Sequence, residues 1–301
     1  MGIINSAKLS VIVPLSSKRE DLSNLEFWLN ELQKFENLNY EVLIVLDIHI
    51  ECPTSIIESI IFKLQNPKVR LIQGNYGSPG SARNAGLNEA NGSHICFWDS
   101  DDSPNLINVF SHLMKNPGRD KIVVGDYILH SLKERRETSV RDRSLVDLSC
   151  SPGIWRFIFP RERICGLNFP DLSMAEDQVF FLKVKIKESD IIWSHTHFYK
   201  YYTGNNSQLT QDKNAKKDLK NSILEVLTLF EGESHKELDV YRDIIFWRLF
   251  YTGLKNQVNF RLRVSFIFTV WKRCSNLKIH ISFFRPIKCI TTYQIRKFSR
   301  R

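Results

Sequence analysis

The chain is poor in cysteine, and its cysteines show no paired spacing. Its 301 residues contain 6 cysteines and no CxxC pair, which argues against a disulfide framework and favours reduced thiols in a cytosolic setting. The first residues also lack a basic region followed by an apolar run, because Val11-Ile12-Val13-Pro14 already has the composition of a strand. We therefore expect no secretory signal.

Long apolar runs, internal repeats and low-complexity tracts are also missing. Charged residues interrupt every apolar stretch before it reaches about eighteen residues, which disfavours a transmembrane helix. With 43% hydrophobic and 25% charged residues, the composition is that of a globular protein. The length suits one large catalytic domain with an appendage, or two modest domains.

Acidic residues are nearly absent from the C-terminal segment. Residues 242–301 hold 14 of the 42 lysines and arginines but one acid, Asp243, so this segment carries +13 and the rest of the chain −4. Aromatic and aliphatic residues alternate with these cations, a pattern that predicts an amphipathic helix on an anionic membrane surface. A helical cap with a solvated basic face and a nucleic-acid site are the alternatives, and the second leaves the acidic cluster described below without a role.

Apolar strand-like runs alternate with helical patterns through the first hundred residues. This alternation predicts an α/β domain with a largely parallel sheet, whose ligands bind beyond the carboxyl ends of the strands. The predicted strands are 9–14, 40–47, 69–72 and 94–98, and the predicted helices are 21–35, 55–64 and 81–90. Further on we predict a strand at 121–127, a hairpin or surface loop at 131–147, a helix at 173–187, a strand at 191–202 and helices from about 209.

Three carboxylates follow the fourth predicted strand, as Asp99, Asp101 and Asp102. Crowded carboxylates raise one another's pKa unless a cation offsets their charge. Hard ions such as Mg²⁺ and Mn²⁺ prefer oxygen ligands and keep places for waters and substrate phosphates. The cluster therefore suggests a metal–diphosphate site, and simple capping of a helix that begins near Pro104 is the alternative.

A glycine-rich loop, Gly74 to Gly86, leads into the third predicted helix. Glycines allow backbone amides to approach a ligand, and a helix N-terminus favours anions. The spacing is neither GxGxxG nor the GK[ST] of a phosphate loop, so a plain turn stays open as an alternative.

Taken in order, these motifs resemble those of the family 2 glycosyltransferases of the GT-A fold. The likeness covers about residues 8–208 and rests on Leu9–Pro14, Asn75–Gly86, Phe97–Asp102 and Glu176–Gln178. It implies a Rossmann-like GT-A catalytic domain over 1–208, with a mixed, mainly parallel sheet flanked by helices. Residues 209–301 would then form a helical, basic, membrane-associating extension.

The resemblance also implies a site. It implies a nucleotide-sugar donor, Mn²⁺ or Mg²⁺ on its diphosphate at a DxD pair formed by Asp99 and Asp101, inversion at the anomeric carbon, and Asp177 as the catalytic base. The residues implied to bind substrate are Pro14, Asp47, Gly77, Ser81, Arg83, Asn84, Asp99 and Glu176.

The base can also be argued from chemistry. Loss of a nucleoside diphosphate needs charge stabilisation on the leaving oxygens, and the acceptor hydroxyl needs a carboxylate to take its proton. Ser173 and Glu176 have the spacing of a capping box, which accounts for Glu176 and leaves Asp177 as the better candidate for base. A structural acid at a helix start is the alternative for Asp177.

Two departures from the family pattern leave the nucleoside open. The segment after Pro14 is Leu15-Ser16-Ser17-Lys18-Arg19-Glu20, and the usual acid pair after the second strand is reduced to Asp47-Ile48-His49-Ile50. The QxxRW motif of processive polymerases is absent, which favours addition of one sugar at a time.

Secondary candidates lie between residues 155 and 197. His195 and His197 are two apart on a predicted strand, so they would share a face and could reach a metal, unless they form an ordinary polar strand face. Four further residues could contact the acceptor or a donor phosphate, or simply belong to the core: Trp155, Arg156, Arg161 and Arg163.

The predicted function is transfer of one sugar from a nucleotide donor to a hydroxyl of a glycan or lipid-linked glycan. The family resemblance implies a setting in bacterial envelope polysaccharide synthesis. The predicted location is cytoplasmic and peripheral on the inner face of the cell membrane, with no nucleic-acid partner. A nucleotidyltransferase that makes a nucleotide sugar, and a non-catalytic polysaccharide-assembly subunit, are the rival hypotheses.

Overall fold

The structure is a computed structural model that describes residues 8–16, 22–48, 54–115, 120–204, 218–231, 236–257 and 259–277. Its contacts divide the chain into two compact units. The first comprises Met1–Arg141, Ile154–Phe169 and Asp190–Asn206, and the second Asp142–Gly153, Pro170–Ser189 and Ser207–Arg301. The predicted division into 1–208 and 209–301 stays a prediction, since its boundary lies outside the described residues.

The first unit contains a mixed sheet, which the described residues form from nine strands. These are β1 Leu9–Ser16, β2 Tyr40–Asp47, β3 Val69–Gly74, β4 His94–Phe97, β5 Ser103–Pro104, β6 Ile122–Ser131, β7 Arg136–Val140, β8 Phe157–Pro160 and β9 Ile191–Thr203. The order is β3-β2-β1-β4-β8-β6-β9-β5, with β7 beside β6. Strands β1 to β4 run parallel, as do β6 and β9, whereas β8 is antiparallel to both β4 and β6.

Helices account for most of the remaining described residues. They are α1 Ser23–Glu31, α2 Ser55–Leu64, α3 Pro79–Glu89, α4 Leu106–Lys115, α5 Leu145–Cys150, α6 Arg161–Ile164, α7 Glu176–Lys183, α8 Leu219–Leu229, α9 Lys236–Lys255 and α10 Phe260–Asn276. Helices α5 and α7 to α10 belong to the second unit. The predicted helix 21–35 ends earlier, because Leu32–Phe35 is a 3₁₀ turn, and 131–147 is the β6–β7 hairpin followed by the start of α5.

The strand registers place the carboxyl ends of neighbouring strands, which carry candidate site residues, at one edge of the sheet. All eight residues of β2 are buried, as expected for a parallel strand covered on both faces. Ser16 pairs with Asp47, and Asp47 pairs with Gly74. The carboxyl ends of β1, β2 and β3 therefore lie side by side, which the alternation of strands and helices predicted.

Helix α3 packs unusually close to the sheet because it carries a glycine. A Cβ atom on Gly86 would lie 2.5 Å from Ile12 Cγ2 and 3.0 Å from Val45 Cγ2. Directly after the neighbouring strand β4, Trp98 meets Trp28 of α1 edge to face, with ring centroids 5.5 Å apart. These contacts fix α1 and α3 against the strands that carry the acidic cluster.

A buried carboxylate ties the amino ends of β1 and β2 together. Glu41 accepts hydrogen bonds from the Ser10 hydroxyl at 2.6 Å and the Asn91 N–H at 2.7 Å, and Lys8 lies 3.4 Å away. Burial by itself would raise the pKa of Glu41, but these donors and the Lys8 charge bring the pKa below its ordinary value. This network sits at the sheet edge opposite the acidic cluster and is structural.

The second unit is helical around an apolar core. Ile223, Val226 and Leu227 of α8 are buried, and Phe181 of α7 meets Tyr241 of α9 with ring centroids 5.6 Å apart. Across the described ranges, no helix combines the length and apolar content needed to cross a bilayer. The part of the predicted basic tail beyond residue 277 lies outside the described residues.

The predicted capping box at Ser173 is wrong. Helix α7 begins at Glu176, three residues later, and its cap residue is Ala175 in the left-handed conformation with φ 64°. The Ser173 N–H donates to Asp218 Oδ2 at 3.0 Å instead. Ser173 is therefore held by the chain ahead of α8 and stands too far from the helix start to cap it.

Candidate active site

The glycine-rich loop is shaped by the last residue of β2. Asp47 is buried, and its Oδ1 accepts hydrogen bonds from the backbone N–H groups of Tyr76 at 2.6 Å and Gly77 at 3.1 Å. Gly77 has φ +73°, which a side chain would strain. Asp47 and Gly77 were predicted as two independent site residues, and in the structure they are in direct contact.

Helix α3 starts at the end of this loop. Ser78 is its cap residue, the Ser78 hydroxyl accepts the Ser81 N–H at 3.2 Å, and Pro79 occupies the first turn. This is a well-formed helix N-terminus, which carries partial positive charge. The positive end of α3 therefore lies at the same sheet edge as Asp47.

Arg83 connects α3 to the acidic cluster. Its side chain is nearly buried, and Nη2 lies 2.8 Å from Asp99 Oδ1. Its guanidinium also stands over the Phe169 ring, 5.6 Å from the centroid. Asn84 exchanges two hydrogen bonds with the Phe169 backbone, at 2.9 and 2.8 Å, so Asn84 positions the segment that supports Arg83.

The three carboxylates occupy different environments. Asp99 keeps 29% of its side chain exposed, whereas Asp102 is fully buried and its Oδ1 accepts the Tyr202 N–H of β9 at 2.9 Å. Burial raises the pKa of Asp102 well above its ordinary value, and the charges of Asp101 and Asp99 raise it further. Asp102 therefore anchors the loop, and Asp99 and Asp101 are the more open pair.

Tyr199 is a site residue that sequence reasoning missed. The Asp99 N–H donates to the Tyr199 hydroxyl at 2.8 Å, and burial raises the pKa of this phenol well above its ordinary value, aided by the charges of Asp102 and Asp99. From α1, Asn24 donates to the Asp101 carbonyl at 2.7 Å. Tyr199 lies one hundred positions from Asp99 on a predicted strand, and no local pattern marks it.

The donor set fits a divalent cation of the magnesium type. Among the residues that the structure describes, no three His, Cys, Asp or Glu side chains converge on one point. Such cations commonly use one or two carboxylates and complete their shell with waters and substrate phosphates. Asp99, which keeps 29% of its side chain exposed, and the half-buried Asp101 supply that pair.

His195 and His197 lie where the pairing between β6 and β9 is irregular. The register between β6 and β9 shifts between the pairs Val124–Trp193 and Asp126–His197, and such a bulge breaks the two-residue alternation of faces. His195 is exposed within it, and His197 Nε2 lies 2.8 Å from Ser139 Oγ on β7. The shared face of the two histidines and metal ligation by either of them both stay predictions.

The aromatic and basic candidates around residue 155 contact their own chain. Trp155 stacks on Tyr199 with centroids 4.6 Å apart, and the buried Arg156 guanidinium stands 4.8 Å from the Tyr127 centroid. Two more arginines bind the chain: Arg161 donates to the Ala90 carbonyl, and Arg163 pairs with Asp190 at 2.6 Å. Trp155 and Arg156 thus belong to the core, which was the alternative. Substrate contact by any of the four residues stays a prediction.

Glu176 and Asp177 lie in the second unit, in the first turn of α7. Glu176 is buried, and Asp177 is half-buried with its Oδ1 accepting the Gln178 N–H at 2.8 Å. The left-handed Ala175 precedes them, a conformation that costs a non-glycine residue about 1–2 kcal/mol. Strained turns of this kind concentrate at functional positions.

Pro14, in the first unit, is half-buried in β1 and pairs with Val45.

The sequence of this chain matches a family model. Residues 10–175 match Glycosyl transferase family 2, and this span is more than half of the 301 residues. The chain therefore belongs to glycosyl transferase family 2, which confirms the predicted family and enzyme class.

Curated relatives point the same way. Poly(ribitol-phosphate) beta-N-acetylglucosaminyltransferase TarS of Staphylococcus aureus is 29% identical over 209 residues, which cover 65% of this chain and 35% of TarS. The chain thus spans about a third of the length of that relative (35%). An uncharacterized glycosyltransferase of Haemophilus influenzae is 28% identical over 207 residues, covering 64% of this chain and 78% of that protein.

Solved structures share the fold. The crystal structure of S. aureus TarS residues 1–349 with UDP-GlcNAc matches with a TM-score of 0.63 and 17% identity, covering 88% of this chain and 81% of that one. The mannosyltransferase PcManGT of Pyrobaculum calidifontis, with GDP-Man and Mn²⁺, matches with a TM-score of 0.54 and 12% identity, covering 98% and 81%. The predicted GT-A fold class, with helices toward the C-terminus, is confirmed.

Proposed function

We propose that this protein transfers one sugar, with inversion, from a nucleotide-sugar donor to a hydroxyl of a glycan or lipid-linked glycan acceptor. The observation that carries this is the carboxyl edge of the sheet in the first unit. There Asp47 shapes the glycine-rich loop, α3 begins, and Arg83 reaches Asp99. A donor diphosphate would meet backbone amides and a helix N-terminus on one side and the acidic pair on the other.

A divalent cation would be held by Asp99 and Asp101. Bound there, Mn²⁺ or Mg²⁺ would supply Lewis-acid stabilisation of charge on the departing diphosphate. Arg83 holds Asp99 in place through its 2.8 Å contact and leaves part of that carboxylate exposed. Tyr199 and Tyr202 of β9 fix the two ends of the acidic loop, so the pair is preorganised by hydrogen bonds to a strand.

Asp177 is proposed to accept the proton of the acceptor hydroxyl. It lies half-buried at a helix start, where the helix dipole favours the ionised carboxylate that a general base needs. The left-handed backbone of Ala175, immediately before α7, supports a role for this turn in positioning Asp177.

UDP-GlcNAc is the first donor to test, because the TarS structure that shares this fold contains it. GDP-Man is the second, after the mannosyltransferase neighbour. The proposed acceptor class includes envelope glycans, and the poly(ribitol-phosphate) in the name of TarS is a polymer to test beside them. We further propose that the basic C-terminal segment associates with an anionic membrane surface on the cytoplasmic side, since residues 242–301 carry +13.

The experiment that tests the reaction is a donor panel incubated with Mn²⁺, read by release of nucleoside diphosphate. We expect release with one donor, loss of release in Asp101→Ala, and donor binding without transfer in Asp177→Asn. Near-normal turnover of Asp177→Asn would refute the base assignment. Release of pyrophosphate would identify a nucleotidyltransferase instead, and donor-independent glycan binding indifferent to Asp101→Ala would identify a non-catalytic assembly subunit.

A further inference from the structure

Helix α10 is fixed to the second unit along one face. Phe266 and Val270 are buried, and the Phe266 ring lies 5.6 Å from that of Phe250 on α9. Arg273 Nη2 also donates to Thr228 Oγ1 at 3.0 Å, on α8. These contacts lock the rotation of α10 about its own axis, so its opposite face is a defined surface of the unit.

The opposite face of α10 is apolar and exposed. Its members recur at spacings of three and four residues and form one stripe about 100° wide on a helix of 3.6 residues per turn. The residues of this stripe are Phe260, Val264, Ile267, Phe268 and Trp271, which are 81%, 48%, 44%, 58% and 62% exposed. Phe268 and Trp271 also contact one another, with ring centroids 5.9 Å apart. A contiguous exposed apolar stripe of this kind marks an interaction surface.

Cations line both borders of the stripe. At 100° per residue, Arg261 and Lys272 fall along one border and Arg263 along the other, and all three side chains are exposed. Helix α10 contains no acidic residue between Phe260 and Asn276. Apolar residues flanked by long cationic side chains are typical of a helix that lies in the plane of a bilayer interface.

We propose that α10 binds anionic bilayers by inserting this stripe among the lipid headgroups, with its bordering cations on the headgroup phosphates. The inference rests on the proposed membrane association and names the face responsible for it. A second copy of this chain fits the stripe less well. A two-fold pair would set the same cationic borders against each other, and like charges there oppose association.

Trp271 reports insertion directly. All six tryptophans lie in the described ranges, and among them Trp271 is the exposed one. Full-length protein would be mixed with vesicles of phosphatidylglycerol and phosphatidylcholine, and with vesicles of phosphatidylcholine alone. We expect a blue shift of tryptophan emission and quenching by lipids brominated near the headgroup, both confined to the anionic vesicles. Both signals should disappear in Trp271→Phe.

Substitution within the stripe tests whether it drives binding. The double variant Ile267→Asp, Phe268→Asp should partition into anionic vesicles at least about tenfold more weakly than wild type, because two apolar anchors become anions. Phe62→Asp is the matched control, since Phe62 is 80% exposed on α2 of the first unit, and it should partition like wild type. Thermal melts establish that both variants fold.

The outcomes separate this inference from the proposals on which it stands. Wild-type affinity of the double variant, with no quenching of Trp271, overturns the assignment of α10 while membrane association stands. Failure of wild type to bind any vesicle overturns both and leaves the sugar-transfer proposal intact. Lipid-free wild type that sediments as a dimer, with a monomeric double variant, overturns the inference by making the stripe an interface between copies.

Discussion

Replacing Tyr199 by phenylalanine removes one oxygen atom from the support of the acidic loop. The Tyr199 hydroxyl accepts the Asp99 N–H at 2.8 Å, and the residue is 1% exposed. Phenylalanine keeps the ring that stacks on Trp155 with centroids 4.6 Å apart. The variant therefore separates the hydrogen bonds of this hydroxyl, including its weaker donation to the Asp99 carbonyl at 3.4 Å, from the packing around it.

The expected magnitude follows from the loss of that acceptor. A buried backbone N–H left without a partner costs about 1–3 kcal/mol, and water has little access at this depth. If the cost falls on the local opening of the loop, the Asp99 amide should exchange its hydrogen about 5- to 150-fold faster than in wild type, since about 1.4 kcal/mol corresponds to tenfold. Displacement of Asp99 should also weaken Mn²⁺ and donor binding.

Hydrogen exchange resolved at Asp99 is the assay, together with urea denaturation and the KM for donor and Mn²⁺. We expect KM to rise by about tenfold or more, with a smaller change in kcat, because positioning is lost before chemistry. Tyr251→Phe is the matched control, as Tyr251 is 64% exposed on α9. Wild-type hydrogen exchange at Asp99 and unchanged KM in Tyr199→Phe would show that the Tyr199 hydroxyl does not position Asp99.

The remaining predictions concern the loop, the sheet and the proposed base. Asp47→Ala leaves two loop amides without their acceptor, so donor KM should rise about tenfold with a stability loss of about 1–3 kcal/mol, measured by kinetics and urea denaturation. Gly86→Ala places a methyl group 2.5 Å from Ile12 Cγ2 and should cost about 1–3 kcal/mol by the same denaturation. Glu41, with its lowered pKa, stabilises the fold above the ordinary value of 4.5, and this contribution is lost as pH falls through the folded pKa. The stability gap between wild type and Glu41→Gln should therefore shrink in acid. Asp177→Asn should lower transfer about a hundredfold or more with unchanged donor affinity by calorimetry.

Each of these has an outcome that contradicts it. Wild-type donor KM in Asp47→Ala would mean that the loop holds its shape unaided. Wild-type stability of Gly86→Ala would mean that Ile12 shifts to accommodate the added methyl group at no cost in free energy. A gap that widens below pH 4.5 for Glu41→Gln would reverse the sign of the assigned shift. Loss of donor affinity in Asp177→Asn would move Asp177 from base to binding residue.

Sequence periodicity predicted the parallel strands and the acidic edge because both depend on local composition. In strand β2 the apolar run 42–46 ends in Asp47, a composition typical of buried parallel strands. The antiparallel strand β8 was not predicted. It consists of four aromatic and apolar residues, Phe157–Pro160, that pair with β4 and β6, and so short a run has no periodicity to measure.

The parts of the candidate site that sequence reasoning missed depend on contacts across long chain separations. Tyr199 meets Asp99 from one hundred positions away, and Phe169 meets Asn84 from 85. The irregular pairing of β9 with β6 around His197 is likewise set by tertiary contacts, which no local pattern shows. Tertiary pairing overrides local alternation in such places.

The most direct test of the central claim is Mn²⁺ binding followed by electron paramagnetic resonance, in the presence of UDP or GDP. We expect one bound Mn²⁺ whose affinity rises with nucleotide, and loss of this Mn²⁺ in the double variant Asp99→Ala, Asp101→Ala. The same variant should keep the wild-type circular dichroism spectrum. Unchanged Mn²⁺ binding in the folded double variant would contradict the assignment of the cation site to the end of β4.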